Sequence, residues 1–203
     1  MQPASGAAAP ADPTRPCLVV IASSLGGIQA LREILAGLPA DLPAAVVVVQ
    51  HLEGGRRSRL AEVLGMVSAL PVCEAVGGEA LGDGRVFVAP PDFHVVVDGE
   101  GRLQLSDAPP VRFSRPAADP LFVSAAECFG AGVVAVVLTG YASDGSLGVR
   151  AIKERGGMVL VQDPATALVE SMPRNAIATG MADEVLPLEQ IAARIVQAVT
   201  QSA

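Results

Sequence analysis

The sequence is poor in the residues that hold a metal ion or a covalent framework. Its 203 residues include three cysteines, two histidines and no tryptophan. Cys17, Cys73 and Cys128 are odd in number and widely separated, which is typical of free thiols and favours neither a disulfide framework nor a cysteine nucleophile. A zinc site needs three or four cysteine or imidazole ligands close together, and neither His51 nor His94 has such a neighbour in the sequence. We therefore expect no metal site.

Positive charge is also scarce. Fourteen lysines and arginines against 21 acidic residues give a net charge of −7, which disfavours nucleic acid or anionic lipid as the main partner because both need a positive field over the contact surface. Two arginine clusters are local exceptions, one formed by Arg56, Arg57 and Arg59 and the other by Arg112 and Arg115. Each cluster is either a solvated face or a basic patch that meets an acidic protein substrate.

The first sixteen residues contain no apolar run long enough for a signal peptide or a membrane span. We therefore expect a cytoplasmic protein without membrane insertion. The first sixteen residues are rich in Ala, Pro and Gly and predict a disordered tail. Residues 17–203 predict one domain, because a hydrophobic content of 51% with 17% charged residues suits a sizeable core.

Strand-length apolar runs alternate with stretches of helical period, which predicts a doubly wound α/β fold. The expected sheet is mainly parallel, with helices on both faces and a β-hairpin across Gly99 at one edge. In the first helix, apolar residues at three- and four-residue spacings predict the buried face: Ile28, Leu31, Leu35 and Leu38. The predicted strands cover about 18–22, 45–50, 72–75, 85–89, 94–97, 103–105, 133–139, 158–162 and 184–186. The predicted helices cover about 26–38, 58–66, 120–128, 145–155, 173–178 and 188–199.

A serine stands at the first strand-to-helix corner. The segment from Ala22 to Gly26 has the form of the nucleophile elbow G-x-S-x-G, with alanine in place of the first glycine and Ser24 at the centre. Such a corner holds a hydroxyl at the carboxyl end of a sheet beside free backbone N–H groups. Ser24 is therefore a candidate nucleophile, although a serine at this position also commonly caps the following helix.

Two further reactive side chains stand at predicted strand ends. His51 ends the second strand, and Asp144 lies in the turn before the helix near Gly145. A serine hydroxyl needs a base to take its proton, an imidazole is suited to that role, and a carboxylate fixes the imidazole tautomer. Asp144 could instead cap its own helix, and His51 could bond to backbone. His94 lies inside an alternating strand and is expected to be a structural or rim residue.

Backbone N–H groups near the serine predict an oxyanion site, since negative charge develops on the substrate oxygen during attack. The N–H of Leu25 directly follows the candidate nucleophile. The small-residue turn 140–142 offers a second donor, for which Tyr141 is the candidate.

After residue 16 the chain resembles the catalytic domain of the CheB-type chemoreceptor methylesterases over nearly its whole length. The matching segments are Val19–Gly27, Val47–His51, Gly84–Pro91, Leu138–Gly145 and 162–164, with the later stretches 172–174 and 183–187. The resemblance implies that Ser24, His51 and Asp144 form a Ser-His-Asp triad. It also implies hydrolysis of γ-glutamyl methyl esters on receptor helices, deamidation of certain glutamines in some members, and no cofactor.

The chain departs from the family pattern at several positions. Leu25 replaces the family threonine and Tyr141 the family methionine, so the walls of the pocket change while the backbone N–H groups are retained. The aromatic residues usual after the histidine are replaced by a run of arginines. In the family a receiver domain precedes the esterase, and sixteen residues cannot replace one, so we expect a free-standing member or a fragment.

Three functions remain open at this point. The first is a protein-glutamate methylesterase in which Arg56, Arg57 and Arg115 dock a methylated, acidic receptor helix, with a separate receiver or methyltransferase as a further partner. The second is a non-catalytic regulatory or binding module on a degenerate esterase fold. The third is a serine esterase of another substrate.

Overall fold

The computed structural model describes residues 17–52, 54–55 and 58–201. The predicted tail, residues 1–16, lies outside this part of the chain. The strands are β1 (Cys17–Ser23), β2 (Ala44–Gln50), β3 (Val72–Glu74), β4 (Arg85–Val88), β5 (His94–Val97), β6 (Leu103–Ser106), β7 (Val133–Val137), β8 (Met158–Gln162) and β9 (Glu184–Leu186). The α-helices are α1 (Gly27–Ala36), α2 (Leu60–Gly65), α3 (Ala118–Phe129), α4 (Ser146–Glu154), α5 (Ser171–Ala178) and α6 (Leu188–Gln201).

One parallel sheet organises the fold, with the strand order β3-β4-β2-β1-β7-β8-β9. The central strands are apolar on both faces and fully buried, because helices cover both sides of the sheet. One hydrophobic core lies between the sheet and α1, α2 and α6. The other lies between the sheet and α3, α4 and α5. The predicted three-layer α/β architecture is confirmed.

The predicted hairpin is present, but it does not form an edge of the parallel sheet. Strands β5 and β6 pair antiparallel and form a two-stranded sheet of their own. Val95, Val97 and Leu103 turn into the core beside α3, so the hairpin packs on a helix face. This packing covers apolar surface that a two-stranded ribbon cannot bury by itself.

The prediction for the buried face of α1 was wrong at Ile28. That side chain is 43% exposed, whereas Ala30, Leu31, Ile34 and Leu35 form the buried face. The helix begins only at Gly27, so Ile28 lies in the first turn, at the carboxyl edge of the sheet and away from the core.

The order of the strands creates a crevice at that edge. From β1 the chain passes to β2 and then to the β3–β4 side of the sheet, and it later crosses to β7 on the other side of β1. In doubly wound sheets, functional groups collect outside the carboxyl ends of the strands where the order reverses in this way. The loops after β1, β2 and β7 therefore meet at one place.

Among the described residues, no helix is long and apolar enough to cross a membrane.

Candidate active site

The three candidate residues lie at the carboxyl ends of three adjacent strands. Ser24 directly follows β1, His51 directly follows β2, and Asp144 lies in the loop between β7 and α4. Because β1 pairs with both β2 and β7 in parallel register, the loops that carry these side chains start at the same height of the sheet.

Asp144 and His51 are in direct contact. Oδ2 of Asp144 lies 2.7 Å from Nε2 of His51, and the aspartate side chain is completely buried while the imidazole is 14% exposed. A carboxylate in this position accepts the proton on Nε2, which leaves Nδ1 as the nitrogen with the free lone pair. In the described part of the chain, no hydrogen bond joins the Ser24 hydroxyl to this ring.

Four donors converge on the carboxylate of Asp144. Oδ2 accepts the N–H of Ala118 at 2.6 Å in addition to His51, and Oδ1 accepts the N–H groups of Gly145 at 3.0 Å and Asp119 at 3.1 Å. Burial by itself raises the pKa of Asp144, but the hydrogen bonds from His51 and from the backbone outweigh it and hold the pKa below its ordinary value. The site therefore keeps a buried carboxylate ionised beside the histidine.

The helix that Asp144 caps is α3, since Ala118 and Asp119 are its first two residues. The N-cap position of α3, Ala117, has no side chain that can cap it, so a carboxylate from the β7–α4 loop takes that role. Helix α4, for which Asp144 was the alternative cap, has no side-chain cap.

The N-cap position of α1 is Gly26, and no side chain caps that helix either. The alternative role of Ser24 as a helix cap therefore has no hydrogen bond to support it in the structure.

The corner at Ser24 is held by the neighbouring β7 loop. The N–H of Ser24 donates to the carbonyl of Thr139 at 3.0 Å. Gly140 follows, and a Cβ on this glycine would lie 2.5 Å from Cβ of Ser24 and would overlap Sδ of Met172. Only glycine lets the two loops approach this closely.

Gln50 ties the serine loop to the histidine loop. Its Oε1 accepts the hydroxyl of Ser23 at 2.7 Å, and its Nε2 donates to the carbonyls of Ser24 at 2.8 Å and His51 at 3.0 Å. Gln50 was not predicted from the sequence as a site residue. The signal that could have indicated it is a polar residue directly before the candidate histidine, at the end of an otherwise apolar strand.

Asp119 is a second buried carboxylate, and it was not predicted from the sequence as a site residue. Its Oδ1 accepts the N–H of Gly148 at 2.9 Å, and its Oδ2 lies 3.8 Å from Nε of Arg112. Burial raises the pKa of Asp119, and the charge of Asp144 adds to that rise, which the hydrogen bond from Gly148 and the charge of Arg112 only partly offset. No local pattern in the sequence marks this residue.

The candidate oxyanion donors have no acceptor in the described part of the chain. Within the described residues, neither the N–H of Leu25 nor the N–H of Tyr141 donates a hydrogen bond to a backbone or side-chain acceptor. The carbonyl of Leu25 accepts the hydroxyl of Thr139 at 3.0 Å, which restrains the peptide between Leu25 and Gly26. Both side chains point outward, with Leu25 53% and Tyr141 62% exposed.

A cleft of about 320 Å³ opens at Ser24 and His51. Leu25, Ile28 and Gln29 form its outer wall. The wall is therefore largely apolar, and the exposure of Ile28, unexpected from the sequence, supplies part of it.

Of the three predicted docking arginines, Arg56 and Arg57 lie outside the described residues. Arg115 is half-buried, and its Nη1 donates to the carbonyls of Asp107 at 2.8 Å and Ala108 at 3.1 Å. In the described ranges, no group of three or more His, Cys, Asp or Glu side chains is arranged to hold a metal ion.

A family model for CheB methylesterase matches residues 19–195 of the chain. The protein-glutamate methylesterase/protein-glutamine glutaminase 2 of Anaeromyxobacter dehalogenans is 48% identical over 184 residues, which are 91% of this chain and 54% of that protein. The protein-glutamate methylesterase FrzG of Myxococcus xanthus is 42% identical over 197 residues, which are 97% of this chain and 59% of that protein. The chain thus spans a little over half the length of these curated relatives.

Among solved structures, the CheB methylesterase catalytic domain of Thermotoga maritima superimposes with a TM-score of 0.87 at 37% sequence identity. The match covers 91% of this chain and 99% of that domain.

Proposed function

We propose that this chain, which belongs to the CheB methylesterase family, hydrolyses γ-methyl esters of glutamate side chains on a protein substrate. The observation that carries the proposal is the buried contact between Asp144 and His51. These residues follow the two strands on either side of β1, the strand that Ser24 directly follows. Each of the three residue types is what acyl transfer requires. The names of the curated relatives agree with this activity.

In the proposed mechanism, Oγ of Ser24 attacks the ester carbonyl while Nδ1 of His51 takes the hydroxyl proton. Asp144 stabilises the imidazolium through Nε2. The tetrahedral intermediate collapses, and the proton passes from His51 to the departing methoxy group, which leaves as methanol. Water then attacks the acyl-enzyme with the same base, releasing the glutamate carboxylate and restoring Ser24.

The N–H groups of Leu25 and Tyr141 are the proposed oxyanion donors. They have no protein acceptor in the described part of the chain and belong to the two loops that meet at Ser24. A donor of this kind lowers the barrier by roughly 3–4 kcal/mol when it points at the developing oxyanion.

The same acyl-enzyme forms when the substrate is a glutamine side chain, with ammonia leaving in place of methanol. The relative from Anaeromyxobacter dehalogenans carries both activities in its name. We therefore include glutamine deamidation in the proposed function, with Ser24, His51 and Asp144 in unchanged roles.

The proposed substrate is a methylated, acidic receptor helix, docked by Arg56, Arg57 and Arg115. A methyl ester on such a helix has to be installed by a methyltransferase, so that enzyme is a proposed further partner. A separate receiver protein is the other proposed partner. Reversing the charge of Arg115 should raise KM for a methylated protein and leave KM for a small methyl ester unchanged. Equal KM values for the protein substrate would contradict the docking role.

Methanol release tests the activity. The chain is incubated with a chemoreceptor cytoplasmic fragment carrying isotopically labelled methyl esters, and volatile label is counted. Ser24→Ala should abolish release, whereas Ser68→Ala, which removes a surface turn hydroxyl that accepts the N–H of Leu70, should not change it.

A fluorophosphonate probe separates the three candidate functions. Labelling of Ser24 that is lost in the His51→Ala variant, together with methanol release, supports the methylesterase. Labelling with turnover of small esters only indicates another ester hydrolase. A serine that is not labelled, in a chain that still binds the receptor fragment, indicates a binding module.

A further inference from the structure

The second histidine, His94, lies behind the candidate site and is only 1% exposed. Its ring joins both ends of the segment 109–117. The N–H of Ala117 donates to Nδ1 at 3.2 Å, and Nε2 lies 3.2 Å from the carbonyl of Pro109. An acceptor at Nδ1 and a donor at Nε2 are satisfied together only by the neutral tautomer that carries its proton on Nε2.

The residue that His94 holds stands directly before the donors to the candidate carboxylate. Ala117 is the N-cap of α3, and the next two N–H groups, those of Ala118 and Asp119, donate to Asp144. Asp144 in turn holds Nε2 of the candidate base. His94 and Asp144 therefore hold three consecutive backbone N–H groups at the start of α3, and Asp144 also holds His51.

We propose that His94 is a positioning residue for the triad, an inference that rests on the proposed function. The neutral imidazole fixes the start of α3, so that its first two N–H groups point at Asp144. Without the ring, the N–H of Ala117 loses its acceptor, and the start of α3 is free to shift away from Asp144.

Two substitutions separate the polar role of the ring from its volume. His94→Gln offers one carbonyl oxygen and one amide N–H₂ on a side chain that does not titrate. His94→Leu fills a similar volume without a polar atom. Val96→Ala is the matched control, because it weakens the same strand at a half-buried position and leaves the His94 ring in place.

Two measurements are made on the wild type and on each variant. One is kcat and KM with the methylated receptor fragment. The other is hydrogen exchange of the Ala118 and Asp119 amides. At pH about 8, His94→Leu should lower kcat by about 10²-fold with little change in KM, since small displacements of catalytic groups cost that much, and should speed exchange at both amides.

His94→Gln should keep kcat and exchange near the wild-type values, because its amide can replace the acceptor and the donor of the ring. The proposal is overturned if His94→Leu behaves as the wild type, if His94→Gln loses as much as His94→Leu, or if Val96→Ala produces the same losses. Absence of turnover in the wild-type chain would count against the proposed function, while the exchange data would still decide whether His94 positions the start of α3.

Discussion

Asp144 holds His51 through Nε2, with 2.7 Å between Oδ2 and that nitrogen. Oδ2 also accepts the N–H of Ala118, and Oδ1 accepts the N–H groups of Asp119 and Gly145. The carboxylate therefore cannot rotate without breaking several hydrogen bonds. The tautomer of His51 is therefore set by a group that is itself fixed by the start of a helix.

Replacing Asp144 with asparagine should lower kcat by about 10⁴-fold, the loss typical of a triad left in the wrong tautomer. The asparagine oxygen can still accept the N–H groups of Asp119 and Gly145, but its N–H₂ then faces Nε2 of His51 and the N–H of Ala118. That nitrogen must become the acceptor, the proton moves to Nδ1, and the base is lost. The measurement is kcat for methanol release, with thermal melting as the check that the variant is folded. A variant within tenfold of the wild-type kcat would contradict the assigned tautomer.

The same residue predicts how stability depends on pH. The pKa of Asp144 is lower in the folded chain than its unfolded value of about 3.9. Its contribution to stability is therefore complete above that value and is lost as the pH falls through the folded pKa. Urea denaturation of the wild type and of Asp144→Asn should show a difference in unfolding free energy at neutral pH that shrinks below about pH 4. A difference in unfolding free energy that does not change with pH would contradict this role of Asp144.

Asp119 predicts the opposite trend, because burial raises its pKa in the folded chain. Below the pKa of the unfolded chain, Asp119 is protonated in both the folded and the unfolded state and does not change the free energy of unfolding. As the pH rises through the folded pKa, the buried charge destabilises the fold. The unfolding free energy of the wild type, relative to Asp119→Asn, should therefore fall from about pH 4 upward. Asp41→Asn, at an exposed position, should show no such trend.

Gly140→Ala should impair catalysis more than folding. The added Cβ meets Cβ of Ser24 at 2.5 Å and Sδ of Met172, so the two loops have to separate. We expect a loss of about 10²-fold in kcat from the displaced serine and a destabilisation of about 1–3 kcal/mol from overpacking. Gly132→Ala is the control, since a Cβ at that position meets nothing within 4 Å. Unchanged kcat in Gly140→Ala would show that the corner at Ser24 tolerates the movement.

Gln50→Ala should destabilise the chain and slow turnover together. It leaves the hydroxyl of Ser23 and the carbonyls of Ser24 and His51 without their partner. An unsatisfied buried group costs about 1–3 kcal/mol, so chemical denaturation should show a loss of at least that size. Gln29→Ala, on the exposed wall of the cleft, should leave stability unchanged. A variant of Gln50 with wild-type stability would mean that water replaces the amide.

The alternation of strands and helices could be predicted from the sequence because hydrophobic periodicity is a local property. The segments 94–97, 158–162 and 184–186 form strands with the predicted bounds. The prediction for Ile28 was wrong because its spacing fits a helical face, whereas its position in the first turn of α1 leaves it at the edge of the sheet.

In the candidate site, too, local features could be predicted from the sequence and long-range contacts could not. By itself, the sequence determined that Ser24, His51 and Asp144 follow apolar segments, since strand ends are marked by a change in local pattern. Only the tertiary structure decided that these segments are the neighbouring strands β2, β1 and β7, that Asp144 caps α3, and that Gln50 joins two loops. These contacts join residues about 26 or more positions apart. Crossover connections and packing set such contacts, and no local pattern encodes them.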